Sequence, residues 1–86
     1  MSRPSGSFLA AAEAAQVIAG VIAARHRQDL AGAHALLENL DDTARAAGSL
    51  FLADLAVALL ARCEERPADE VAAAISVQIA DRVARA

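Results

Sequence analysis

The pattern of hydrophobic and polar positions predicts helices along almost the whole chain. The longest apolar segment, residues 46–61, has Ser49 and Asp54 as its only polar side chains. Its large apolar side chains point in every direction around a helix, and a helix that is apolar on all sides must be covered on more than one side. We therefore expect this segment to form a central helix that is buried by the first and last helices.

Three further segments have helical periodicity. The first helix is expected over residues 7–27. The second is expected over residues 30–40, with Asp29 as its N-cap. No glycine or proline separates these two segments, so one bent helix over both is an alternative. The apolar faces expected in these two helices consist of Ala14, Val17, Ile18, Val21 and Ile22, and of Leu30, Ala33, Leu36, Leu37 and Leu40.

Local signals set the bounds of the central and last helices. Asp41 and Asp42 are expected to begin the central helix as acidic caps, and Gly48 within it is expected to mark a close helix contact. Pro67 ends this helix and, with Ala68, begins the last one. The buried stripe expected in the last helix consists of Val71, Ala72, Ile75, Ile79 and Val83. Val77 lies on its polar side and is a candidate contact residue.

These elements predict an all-α fold, a small three- to four-helix bundle around the central apolar helix, since no segment has the alternation of a strand. Residues 1–6 are expected to be a disordered lead-in, and residues 7–86 a single helical domain. Much of the 57% hydrophobic content is alanine, which favours helices and their close approach but contributes little apolar area. All basic residues are arginine, which together with the alanine excess is typical of a high-GC genome, such as that of an actinobacterium or its phage.

Composition argues against several functions. The formal net charge of −3 is unlike the basic face that binds nucleic acid, and the absence of Trp and Tyr removes the usual stacking residues. The single cysteine, Cys63, fits a reducing compartment and a cytoplasmic location, as a small core or boundary residue. The apolar segment is shorter than the roughly 20 residues that span a bilayer and contains Asp54, so no membrane association is expected.

The residues with catalytic or metal-binding potential are few. His26, His34, Asp29 and Glu38 form the one possible metal-binding cluster, but no spacing of a known metal site is present. Phosphate-binding loops, nucleophile elbows and paired cysteines are all absent from the sequence. We therefore expect no enzyme, no cofactor and no metal. A small helical metal-binding protein using the two histidines and Asp29 is an alternative.

Asp54 is the most informative polar residue, because it lies inside the apolar helix. It could face solvent on a narrow stripe with Arg45. It could instead be buried and paired with Arg25, Arg82 or Arg85, which would fix the helix register or a dimer. A catalytic role is the least expected, because no second catalytic group accompanies it.

These observations predict a non-enzymatic helical protein–protein interaction module, such as a regulator, an adaptor or a phage accessory protein. Self-association as a homodimer through apolar helix faces is the simplest form, and another protein is the alternative partner. The expected interface consists of Leu50, Phe51, Leu52, Asp54, Leu55, Val57, Leu59 and Leu60. A DNA-associated helix-turn-helix regulator is a further alternative, although only Thr43 and Arg45 suit the start of a recognition helix.

Overall fold

The computed structural model describes residues 6–86, which form helices α1 (Gly6–His26), α2 (Leu30–Glu38), α3 (Asp42–Glu64) and α4 (Ala68–Arg85). The predicted all-α class and small helical bundle are confirmed, and residues 6–86 contain no strand. The lead-in expected at residues 1–5 lies outside the described residues, whereas Gly6 already belongs to α1. The chain divides into two compact units, Met1–Ala53 and Asp54–Ala86, and α3 runs through both.

Two aspartates begin helices as the sequence predicts. The Asp29 carboxylate accepts a hydrogen bond of 2.9 Å from the Gly32 amide in the first turn of α2. The Asp41 carboxylate accepts one of 2.8 Å from the Ala44 amide in the first turn of α3. Each bond satisfies an amide that has no partner within its helix. These side chains therefore fix where α2 and α3 begin.

The end of α1 is a left-handed turn without a glycine. Gln28 has φ of 63°, and its amide donates to the Arg25 carbonyl at 2.9 Å. The Asp29 amide donates to the Ala24 carbonyl, also at 2.9 Å. This pair of bonds is the Schellman arrangement, which satisfies the last carbonyls of a helix and reverses the chain. The alternative of one bent helix over α1 and α2 is therefore wrong.

The end of α3 repeats this geometry. Glu65 has φ of 53°, and the Arg66 amide donates to the Ala61 carbonyl at 3.1 Å. Pro67 follows and begins α4, where Asp69 and Glu70 lie in the first turn. Neither left-handed residue is a glycine, so each turn holds a conformation that is strained for its side chain.

The core of the first unit consists mostly of small side chains. Its buried apolar residues are Ala14, Ala15, Ile18, Val21, Ala24 and Ala33. At Gly48, α3 lies close to α1, because a Cβ added there would lie 2.8 Å from the Ala14 backbone. The predicted close contact at Gly48 is confirmed. In α2, Ala33 is buried and Leu37 packs against the core, as expected, whereas Leu30 and Leu36 are exposed, so the expected apolar face of α2 is wrong for these two leucines.

The second unit has a small buried core. Its buried residues are Ala61 in α3 and Val71 in α4, with Val71 only 1% exposed. Every residue from Ser76 to Ala86 is exposed. The stripe predicted to be buried along α4 is therefore wrong for Ala72, Ile79 and Val83. Ile79 and Val83 are exposed because the contact within this unit involves only the first part of α4.

Helix α3 is not buried, which corrects the expectation that the first and last helices cover it. Leu50, Leu55, Leu59 and Leu60 are all exposed. The physical reason is the number of neighbours. In the first unit, α3 has Gly48 buried and Phe51 half-buried, and in the second unit it has Ala61 buried. In each unit, therefore, one side of α3 is covered by a neighbouring helix and its other sides are exposed.

Candidate interaction surface

The predicted interface residues of α3 divide into two groups. Leu50, Leu55, Leu59 and Leu60 are exposed, whereas Phe51, Leu52 and Val57 are half-buried within the chain. Phe51 packs edge-on against Phe8 of α1, with ring centroids 5.5 Å apart and planes at 63°. This edge-on arrangement is favourable for two aromatic rings, although Phe8 is half exposed. Phe51 therefore contributes to the packing of the first unit, and the four exposed leucines are the residues free for another contact.

Asp54 faces solvent. The residue is exposed, and among residues 6–86 it has no ion pair or hydrogen-bond partner for its side chain. The alternative of a buried pair within one chain is therefore wrong for this structure. A carboxylate in water needs no partner, so Asp54 does not disturb the apolar helix around it.

Helix α4 adds exposed apolar side chains to the second unit. Val77, Ile79 and Val83 are 68%, 59% and 70% exposed. The exposure of Val77 is as expected from its place on the polar side of α4. The exposure of Ile79 and Val83 was not predicted, because their helical spacing from Val71 is equally consistent with a buried stripe. A single exposed valine is ordinary, but two valines and an isoleucine exposed within two turns of one helix are not.

An open groove lies where α1 meets α2. It has a volume of about 300 Å³ and is lined by Ile22, Arg25, His26 and Leu30. All four side chains are exposed, so the groove is a shallow surface feature. It combines two apolar side chains with one guanidinium and one imidazole.

The second histidine lies elsewhere. His34 Nε2 lies 2.9 Å from Glu38 Oε1 one turn further along α2, with both side chains exposed. Within residues 6–86, no three His, Cys, Asp or Glu side chains lie close enough together to hold a metal ion. The carboxylate of Asp29 is occupied as the N-cap of α2. The structure therefore does not bring His26, His34 and Asp29 together as a site.

Arg45 joins two helices. Its guanidinium donates two hydrogen bonds, of 3.3 and 3.0 Å, to the Leu37 carbonyl at the end of α2. The Leu37 carbonyl also accepts a bond of 3.1 Å from the Leu40 amide, and carbonyls at a helix C-terminus carry partial negative charge, so a cation is favoured there. Arg45 was predicted only as a candidate for a recognition helix, since this contact depends on the angle between α2 and α3. Cys63, expected as a core or boundary residue, is exposed.

Two helices of the described part, α1 and α3, are long and apolar enough to cross a bilayer by length and composition alone. That is weak evidence, because core helices of other proteins have the same composition. Comparisons with protein-family models, curated proteins and solved structures gave no match. The chain's own surface is therefore the basis on which its function is proposed.

Proposed function

We propose that this protein is a non-enzymatic helical interaction module that associates with itself through apolar helix faces. The observation that carries the proposal is the set of large apolar side chains left exposed while small ones are buried. In the second unit, Leu55, Leu59 and Ile79 are exposed, whereas Ala61 is buried. Because apolar area drives association, a second surface that covers these side chains is favoured.

A second copy is the partner that this composition favours. The formal net charge of the chain is only −3, so the exposed apolar side chains are not accompanied by a large excess of one charge. A strongly basic or acidic partner would require such an excess. A closed pair of identical apolar surfaces needs no complementary charge, and two-fold pairing is the commonest way in which a chain covers its own surface.

The experiment is the solution mass of the full chain, measured by light scattering on a sizing column at two concentrations. We expect twice 8.8 kDa at the higher concentration, with dissociation on dilution. A mass of 8.8 kDa at both concentrations refutes self-association. In that case flotation with neutral phosphatidylcholine vesicles shows whether a bilayer covers the apolar faces instead.

A further inference from the structure

The second unit carries two exposed apolar stripes, one on each of its helices. Leu55 and Leu59 lie one turn apart on α3, and Ile79 and Val83 lie one turn apart on α4. Side chains four residues apart share one face of a helix, so each pair forms a short continuous stripe.

The outer part of α4 needs a neighbour that the described chain does not supply. Residues 76–86 are exposed on every side, yet α4 remains helical to Arg85. Isolated helices shorter than about 12–15 residues are marginal in water, and most helical stability in proteins comes from packing of an apolar face. A contact along Ile79 and Val83 would therefore stabilise the outer half of α4.

We propose that Leu55 and Leu59 of one copy pack against Ile79 and Val83 of a second copy, and reciprocally. This inference rests on the self-association proposed above and names the surface. One contact, repeated by the two-fold axis, covers both stripes of both chains, as an isologous interface requires. Pairing of α3 with α3 alone leaves the outer half of α4 uncovered.

Charge sets the direction of the pairing. Asp54 lies beside Leu55 and Arg82 lies beside Val83, and neither side chain has an ion pair among residues 6–86. An antiparallel alignment of α3 with the partner's α4 places Leu55 opposite Val83 and brings Asp54 near Arg82. Because Asp54 and Arg82 carry opposite charges at the rim of the contact, they favour the antiparallel alignment over the parallel one. Leu59 then lies opposite Ile79.

The experiment uses two charged variants of the full chain, Leu59→Glu and Ile79→Arg. Each variant introduces two charges into the two symmetric contacts of its own dimer. We expect each to raise the dissociation constant of the dimer at least about 100-fold. An equimolar mixture of the two is expected to recover a heterodimer, because one of its contacts pairs glutamate with arginine and the other is unchanged.

Two matched variants serve as controls. Leu50→Glu changes an exposed leucine on the opposite side of α3 from Leu59, and Val77→Arg changes an exposed valine on a different side of α4 from Ile79. Both are expected to leave the dimer intact. Circular dichroism of every variant checks that the helices remain folded.

The outcomes separate this inference from the proposed function. A wild-type dimer that is unaffected by Ile79→Arg, or is disrupted equally by the control variants, overturns the named surface while self-association stands. Failure of the mixture to form a heterodimer overturns the contact between Leu59 and Ile79. A wild-type chain that is monomeric throughout overturns both proposals.

Discussion

Gly48→Ala is expected to destabilise the protein, although alanine is the better helix former. The added Cβ would lie 2.8 Å from the Ala14 backbone and Cβ and 2.9 Å from the Ala15 amide nitrogen. Favourable contacts between heavy atoms lie at about 3.5–4.0 Å, so α1 must retreat from α3 by several tenths of an ångström. The obstructing atoms are mostly backbone, and no side-chain rotation relieves them.

The magnitude follows from two opposing terms. Replacing glycine within a helix gains about 1 kcal/mol of helix propensity. Forcing extra volume into a packed contact costs about 1–3 kcal/mol, and backbone obstruction favours the upper end of that range. We therefore expect a net loss of about 1–2 kcal/mol in the free energy of unfolding.

Gly20→Ala is the matched control. There the nearest atom to an added Cβ is Leu36 Cδ1 at 3.5 Å, an ordinary contact. The same substitution is therefore expected to stabilise the protein by about 0.5–1 kcal/mol. Urea denaturation followed by circular dichroism, at one protein concentration for all variants, measures both changes. A Gly48→Ala variant as stable as Gly20→Ala would refute the close approach of α1 and α3.

Three further predictions concern helix ends and the exposed face. Gln28→Gly and Glu65→Gly are each expected to stabilise the protein by about 0.5–1 kcal/mol in urea denaturation, because both positions have positive φ; lower stability of both would contradict the Schellman turns. Arg45→Met is expected to cost about 0.5–1.5 kcal/mol in the same assay, since the Leu37 carbonyl loses both guanidinium bonds but keeps the bond from the Leu40 amide at 3.1 Å; unchanged stability would show that water replaces the guanidinium. Leu55→Asp is expected to weaken the dimer in light scattering while the helical circular dichroism signal of the diluted chain is retained, because Leu55 is half exposed; unfolding at every concentration would place Leu55 in the core.

The local features of the fold could be predicted from the sequence because each depends on a few neighbouring residues. Asp29 and Asp41 cap α2 and α3 through hydrogen bonds to amides three residues ahead, and Pro67 separates α3 from α4. The two left-handed turns could not be predicted in the same way. Gln28 and Glu65 carry no preference for positive φ, so their conformation is imposed by the helices on either side.

The buried faces were harder to predict because alanine is frequent on every side of these helices. Where large and small apolar residues occur all round a helix, periodicity does not identify which side meets a neighbour. The predicted faces favoured large side chains such as Leu30 and Ile79, because they gain most from burial. In the structure the contacts occur where helices approach most closely, and Ala24, Ala33 and Ala61 permit that approach.

This division between small and large residues has a consequence for how the protein can work. Contacts within the chain use Ala14, Gly48 and Ala61, whereas Leu59 and Ile79 remain at the surface. The residues that hold the helices together are therefore different from those available to a partner. Substitutions at the surface stripes can change association without disturbing the packing of the buried core, since they create no cavity there. Because alanine contacts bury little area, the stability gained from a partner is then a large share of the total, and folding and association are expected to be linked by mass action.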